Sequence, residues 1–181
     1  MSRLARVYDA MLTEHQKVHR QMAFVAGPRQ VGKTTTCRAA VEFYLNWDNL
    51  DDRRIILRGP AAVADRLGLS RLRANPTTVL FDELHKYSRW KSFLKGFFDT
   101  YADEVRVLVT GSSRLDVYRR GGDSLMGRYF LFRMHPLSVA EVSHPDLPDP
   151  VALVRAPRSL DEADFRALWE HGGFPEPFLK R

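Results

Sequence analysis

Gly27-Pro28-Arg29-Gln30-Val31-Gly32-Lys33-Thr34 fills every fixed position of the phosphate-binding loop pattern G-x-x-x-x-G-K-[ST]. Each fixed residue has a physical task. Glycines at 27 and 32 are expected to allow backbone dihedrals that a Cβ would obstruct, so that successive N–H groups turn inward around phosphate oxygens. Lys33 brings a point charge to the β- and γ-phosphates, and the Thr34 hydroxyl can sit on Mg²⁺. The ligand these residues predict is a nucleoside triphosphate.

A second constellation narrows the chemistry. Thr78-Val79-Leu80-Phe81-Asp82-Glu83 is a β-rich run that delivers two adjacent carboxylates at its C-terminal end, the edge of an α/β sheet where ligands bind. Asp82 is placed to hold Mg²⁺, as a Walker B aspartate does. Glu83, one residue on, can take the proton from an attacking water. A glutamate directly after that aspartate is the arrangement of water-activating ATPases, whereas a kinase on such a fold must avoid hydrolysis. Hydrolysis is therefore the expected reaction.

These residues need elements to hold them. Leu4, Val7, Tyr8, Met11 and Leu12 recur at helical spacing and predict an amphipathic helix from residue 3 to about 20, with Ser2 as its cap. Met22 to Ala26 is a buried strand leading into the loop, Thr35 to Phe43 a helix leaving it, and Tyr44 to Asp48 a short second strand. Leu50 to Ala74, broken by Gly59-Pro60, predicts one or two short surface helices before the turn at Asn75-Pro76. Thr77 to Phe81, Val105 to Thr110 and Tyr129 to Met134 are further strands. A helical face of Phe93, Leu94, Phe97, Phe98 and Tyr101 lies between the first two of these, with Ser88 as candidate cap. Ser138-Val139-Ala140-Glu141 and Ser159-Leu160-Asp161-Glu162 have capping-box spacing, and Gly172-Gly173 ends the second of those helices. Strands alternating with helices predict an α/β fold with a parallel sheet covered on both faces. The expected division is an N-terminal helix over 1–20, a core over 21–145, a Pro-rich linker over 146–158 and a last helical segment over 159–181.

Composition sets the outer bounds. The 181 residues are 44% hydrophobic, which suits a globular core, and no apolar run approaches the ~20 residues that cross a bilayer. Cys37, the one cysteine, excludes an intrachain disulfide and is expected to be a small buried hydrophobe. With no signal-peptide core at the N-terminus, the expected location is cytoplasmic, away from membranes. The formal charge of +6, with a loose concentration at Arg114, Arg119, Arg120, Arg128 and Arg133, fits a solvated basic face or a nucleic-acid surface. Trp47, Trp90 and Trp169 sit among apolar neighbours and are expected in the core, and the six histidines show no metal-ligand spacing.

The order of these segments resembles the AAA+ ATPases. Gly27 to Thr35, Asp82-Glu83-Leu84-His85-Lys86, Thr110-Gly111-Ser112-Ser113, Gly127-Arg128 and Pro136 to Glu141 match the bacterial and archaeal AAA-type ATPases, and His171 to Pro177 fits further along. The resemblance implies the P-loop NTPase three-layer sandwich, with ATP and Mg²⁺ bound by residues 27–35 and Asp82. It implies a sensor residue after the fourth core strand, matched by Ser113 with Ser112 as alternative, and an arginine finger before the fifth strand, matched by Arg128. Such a finger is offered in trans to a neighbouring subunit's γ-phosphate, where charge spreads in the transition state, so a homo-oligomer is implied. Asn46, ending the second strand, is a candidate to hold Glu83 inactive until ligand binds. The family commonly continues into a fuller helical lid and a C-terminal domain, so a chain ending at Arg181 is expected to be a fragment or a short form with no assignable second sensor arginine. Two other functions stay open: a nucleotide-gated binding module, and a phosphotransferase acting on a small acceptor.

Overall fold

The computed structural model describes residues 4–69, 74–111, 125–144 and 156–180. Its centre is a sheet of five strands: β1 (Met22–Ala26), β2 (Phe43–Asn46), β3 (Thr77–Asp82), β4 (Val105–Gly111) and β5 (Tyr129–Arg133). The order is β2-β3-β4-β1-β5 and every neighbouring pair is parallel. The three middle strands are almost wholly buried, the near-continuous apolar pattern of strands covered on both faces. Alternation still decides which face each residue serves. Met22, Phe24 and Phe81 join one core with α3 (Leu50–Leu57), α4 (Pro60–Leu67) and α5 (Trp90–Tyr101). Ala23, Val25, Leu80 and Leu108 join the opposite core with α1 (Val7–Val18) and α2 (Lys33–Ala39). The result is the predicted three-layer α/β sandwich.

Several boundaries move, each for a local reason. The helix after the loop stops at Ala39 rather than Phe43, because Phe43 to Asn46 pairs with Val79 to Asp82 and sheet pairing overrides helical propensity. Arg89, not Ser88, is the N-cap of α5. Asp161, not Ser159, caps α7 (Glu162–His171), its carboxylate accepting the Ala163 and Asp164 N–H groups. The structure also corrects the expected core placement of Trp169, which is 81% exposed. On α7 it is Ala167 that faces inward, and Trp169 lies outside with Phe165 stacked on it, ring centroids 6.4 Å apart. Ser2 and Ser112–Ser113 lie outside the described residues, as do Arg114, Arg119, Arg120 and most of the expected linker.

The segments that hold Arg6 and Glu141 meet beside the phosphate-binding loop. Arg6 is 4% exposed and its guanidinium donates to both oxygens of Glu141, from Nε at 2.7 Å and Nη2 at 3.2 Å. It also donates to the carbonyls of Val31 and His135, each at 2.8 Å. Glu141 lies on α6 (Val139–Ser143), where Ser138 caps the helix as expected by accepting the Glu141 N–H. The reciprocal half of the capping box is not made. The Glu141 carboxylate turns instead to Arg6 and to the Val7 N–H. A third apolar cluster of Leu137, Ala167 and Phe178 docks α7 and α8 (Pro175–Leu179) onto α6. Gly173 permits this contact: the Leu137 N–H donates to its carbonyl at 2.6 Å, and a Cβ there would collide with the Leu137 carbonyl.

Removing one partner of a buried pair strands the other charge. Glu141→Leu is expected to destabilise the chain by about 3–5 kcal/mol in urea unfolding. Adding Arg6→Leu should recover part of that loss, whereas simple addition of two losses would contradict a coupled pair.

Candidate functional site

The loop from Gly27 to Thr34 joins the C-terminal end of β1 to α2. Its two glycines serve different needs. Gly32, the N-cap of α2, has φ +97°, a left-handed conformation that glycine adopts freely. Gly27 is not in that region. It is glycine because a Cβ would strike the carbonyl oxygen of Met134, whose N–H donates to Ala26 at 2.7 Å. The other left-handed position in the loop is Gln30, at φ +63°. Lys33 is 8% exposed, and its ammonium donates to the carbonyls of Gly27 at 3.0 Å and Pro28 at 2.5 Å. Burial lowers its pKa from the ordinary lysine value, against an opposing pull from Glu83 and Asp82.

Asp82 is the hub beneath the loop. Its carboxylate is 4% exposed and accepts three hydroxyls from three elements: Thr34 of α2 at 3.0 Å, Tyr44 of β2 at 3.0 Å and Thr110 of β4. The register explains the convergence, since Asn46, Asp82 and Thr110 stand opposite one another across three adjacent strands. Neither Tyr44 nor Thr110 had a site role in the sequence, Tyr44 reading as an ordinary strand residue and Thr110 only as the first residue of a matched segment, until the strands are paired. Burial, then the Asp82 charge, pushes the Tyr44 phenol up to about 12. Arg38 lies over its ring, 4.6 Å from the centroid.

Glu83 turns out of the strand with φ +55°, and its N–H donates to the Thr110 carbonyl at 3.2 Å. It borders a cavity of about 660 Å³ together with Arg29, Gln30, Lys33, Thr34 and Thr35. Leu4 and Arg6, before β1, and Pro175, Glu176, Leu179 and Lys180, of α8 and its end, complete its lining. The cation beside Glu83 is Lys86, with Nζ 3.2 Å from Oε2, and His85 lies 3.9 Å away. Burial lowers the His85 pKa, with Glu83 opposing. Asn46 is engaged elsewhere: its side-chain oxygen accepts the Asp48 N–H at 2.9 Å.

Lys33, Thr34, Asp82 and Glu83 thus gather at one edge of the sheet, and Arg128 does not. It precedes β5, whose five residues run parallel to β1, so it lies at the opposite edge of the sheet, roughly 17 Å from the loop end at the usual strand rise. Its guanidinium makes a two-pronged pair with Asp99 of α5, at 2.6 and 2.9 Å, which lowers the Asp99 pKa. Ser113 falls outside the described residues. Cys37 is buried as expected, and among the described residues no three His, Cys, Asp or Glu side chains cluster to hold a metal. No helix among them is long and apolar enough to cross a membrane.

The sequence profile of a family described as an AAA domain matches residues 19–143. Among solved structures, the chain is similar to the structure of C. elegans PCH-2 at 18% identity and a TM-score of 0.46, covering 73% of this chain and 41% of that one. The chain therefore spans about two fifths of that structure's length. No curated protein matches the sequence.

A tyrosine whose pKa is raised on folding supports the folded state fully below its unfolded value of about 10, and that support is lost as pH rises toward the folded value. Stability should therefore fall between about pH 10 and 12, and less steeply in Tyr44→Phe. Ultraviolet titration should show one phenol ionising near pH 12 in the parent, absent from Tyr44→Phe and brought back toward 10 by Asp82→Asn.

Proposed function

Because the chain belongs to the AAA domain family, whose fold binds nucleotides, we propose that it binds ATP with Mg²⁺ at the loop of residues 27–35 and hydrolyses it. The observation that carries this reading is that Thr34, which lines the cavity with Lys33 and Glu83, donates its hydroxyl at 3.0 Å to the buried Asp82 carboxylate. The donor set suits the ion. Both side chains offer hard oxygens, and Mg²⁺ is usually held by one or two such protein ligands plus the phosphates of the nucleotide, so no larger protein cluster is needed. Thr34 and Asp82 would hold Mg²⁺, which when bound neutralises charge on the β- and γ-phosphate oxygens.

The chain's own residues supply the rest. Lys33, whose ammonium is held by the Gly27 and Pro28 carbonyls, exchanges those neutral partners for anionic phosphate oxygens, a stronger interaction. The buried setting of Asp82 and its three hydroxyl donors keep the carboxylate from rotating. Glu83 borders the cavity rather than the core and takes the proton from the attacking water at its carboxylate. Arg128 acts, in this reading, on a neighbouring subunit, because its own loop is at the far edge of the sheet. To do so it must leave Asp99. Ser113 is proposed as the residue that reads the γ-phosphate.

Phosphate release measured against protein concentration tests these roles together. Glu83→Gln should keep ATP binding and release phosphate at least about a hundredfold more slowly. The parent's rate per subunit should rise with concentration, and Arg128→Ala should stay low throughout. Undiminished release by Glu83→Gln would contradict the hydrolytic assignment, and a flat profile in both parent and Arg128→Ala would remove the arginine from the site.

A further inference from the structure

Glu83 is held by more than its place after β3. Its left-handed φ of +55° is uncommon for a residue with a side chain and persists only where the surroundings enforce it. Part of that enforcement is visible in the backbone, with the Glu83 N–H on Thr110 and the Lys86 N–H returning to the Glu83 carbonyl at 3.1 Å. That return closes the single 3₁₀ turn Leu84–Lys86 and aims Lys86 back over Glu83.

The Lys86 ammonium bridges two carboxylates from different parts of the chain: Asp48 at 2.5 Å and Glu83 at 3.2 Å. Asp48 is itself fixed, by its N–H on Asn46 and by its neighbour Trp47. The Trp47 ring stacks on Tyr87, centroids 4.9 Å apart and planes 16° from parallel, which locks the end of β2 to the residue after Lys86. Arg53 braces the same point, with its guanidinium over the Trp47 ring and its Nε donating to the Trp47 carbonyl at 2.9 Å. Hydrogen bonds to Asp48 and then Glu83 raise the Lys86 pKa, so the bridge is cationic through the neutral range. Lys86 and Asp48 are both substantially exposed, at 40% and 50%. Such a pair contributes little to global stability, so its consequence is geometric.

We propose that Lys86, anchored by Asp48, is the positioning residue for Glu83, holding its carboxylate toward the nucleotide cavity in the orientation that water activation needs. The assignment rests on the hydrolytic reading above. Asn46 supports the anchor, its side-chain oxygen accepting the Asp48 N–H.

The test is steady-state phosphate release with ATP affinity measured in parallel, for the parent, Glu83→Gln, Lys86→Met, Lys86→Arg and Asp48→Asn. Misplacing a base is expected to lower kcat of Lys86→Met about tenfold or more, with KM, ATP affinity and melting temperature close to the parent's. Lys86→Arg should retain more activity than Lys86→Met, and Asp48→Asn should fall between parent and Lys86→Met. The Glu83→Gln/Lys86→Met double variant should be no slower than Glu83→Gln alone, since a positioning residue has nothing left to position. An unchanged kcat in Lys86→Met, a parallel fall in ATP affinity and melting temperature, or an additive double variant would overturn the proposal while leaving the parent's dependence on Glu83 intact. A parent with no release, or one matched by Glu83→Gln, overturns the hydrolytic reading and this assignment with it.

Discussion

A buried carboxylate has to be satisfied, and most of this site follows from how Asp82 is satisfied. Its four lone-pair positions lie beneath the loop, shielded from solvent, and three hydroxyls from β2, β4 and α2 fill them in part. That requirement ties the sheet to the loop. β2 and β4 must flank β3 in register for Tyr44 and Thr110 to arrive, and α2 must start at Lys33 for Thr34 to reach down. Parallel pairing makes the convergence natural, because every strand then presents its C-terminal end at the same edge.

A buried ion pair supports the loop in a different way. Arg6 bridges Glu141 and the carbonyls of Val31 and His135, so the start of α1, the loop, the exit from β5 and α6 are fastened at one guanidinium. Arginine suits that task because its fork of donors can serve several acceptors at fixed angles. The same residue borders the cavity beside the loop, as do Pro175 and Leu179 of α8. The segments before β1 and after α6 therefore help shape the site and do not hang from the core as appendages.

What could be read in the sequence was what local pattern controls. The loop motif, the Asp82-Glu83 pair and the buried strands β1, β3 and β4 were legible because motif spacing and apolar runs are short-range properties. The exits were less legible. Helix α2 ends early because β2 is claimed by β3, a partner some 36 residues away in the Tyr44–Leu80 pairing. Glu141 looked like half of a capping box, and only the fold brings Arg6, 135 residues distant in sequence, to take its carboxylate. Trp169 had apolar neighbours in sequence but lies on the outer face of its helix. Lys86 stood inside the matched segment Asp82 to Lys86, but nothing in that segment named its partners, since its two carboxylates are brought together only in the fold, beside the Trp47–Tyr87 stack.

Whether Asp82 and Thr34 complete the proposed Mg²⁺-dependent nucleotide site is tested most directly by calorimetric titration of ATP with and without Mg²⁺. In the parent, Mg²⁺ should strengthen ATP binding, with a matching rise in melting temperature as the ligand approaches saturation; a hundredfold excess over Kd corresponds to about 2.7 kcal/mol. Asp82→Asn should remove the gain from Mg²⁺ while retaining the weaker metal-free binding, because Lys33 and the loop are untouched. If Asp82→Asn binds Mg²⁺ and ATP together as tightly as the parent does, the account of this site is wrong.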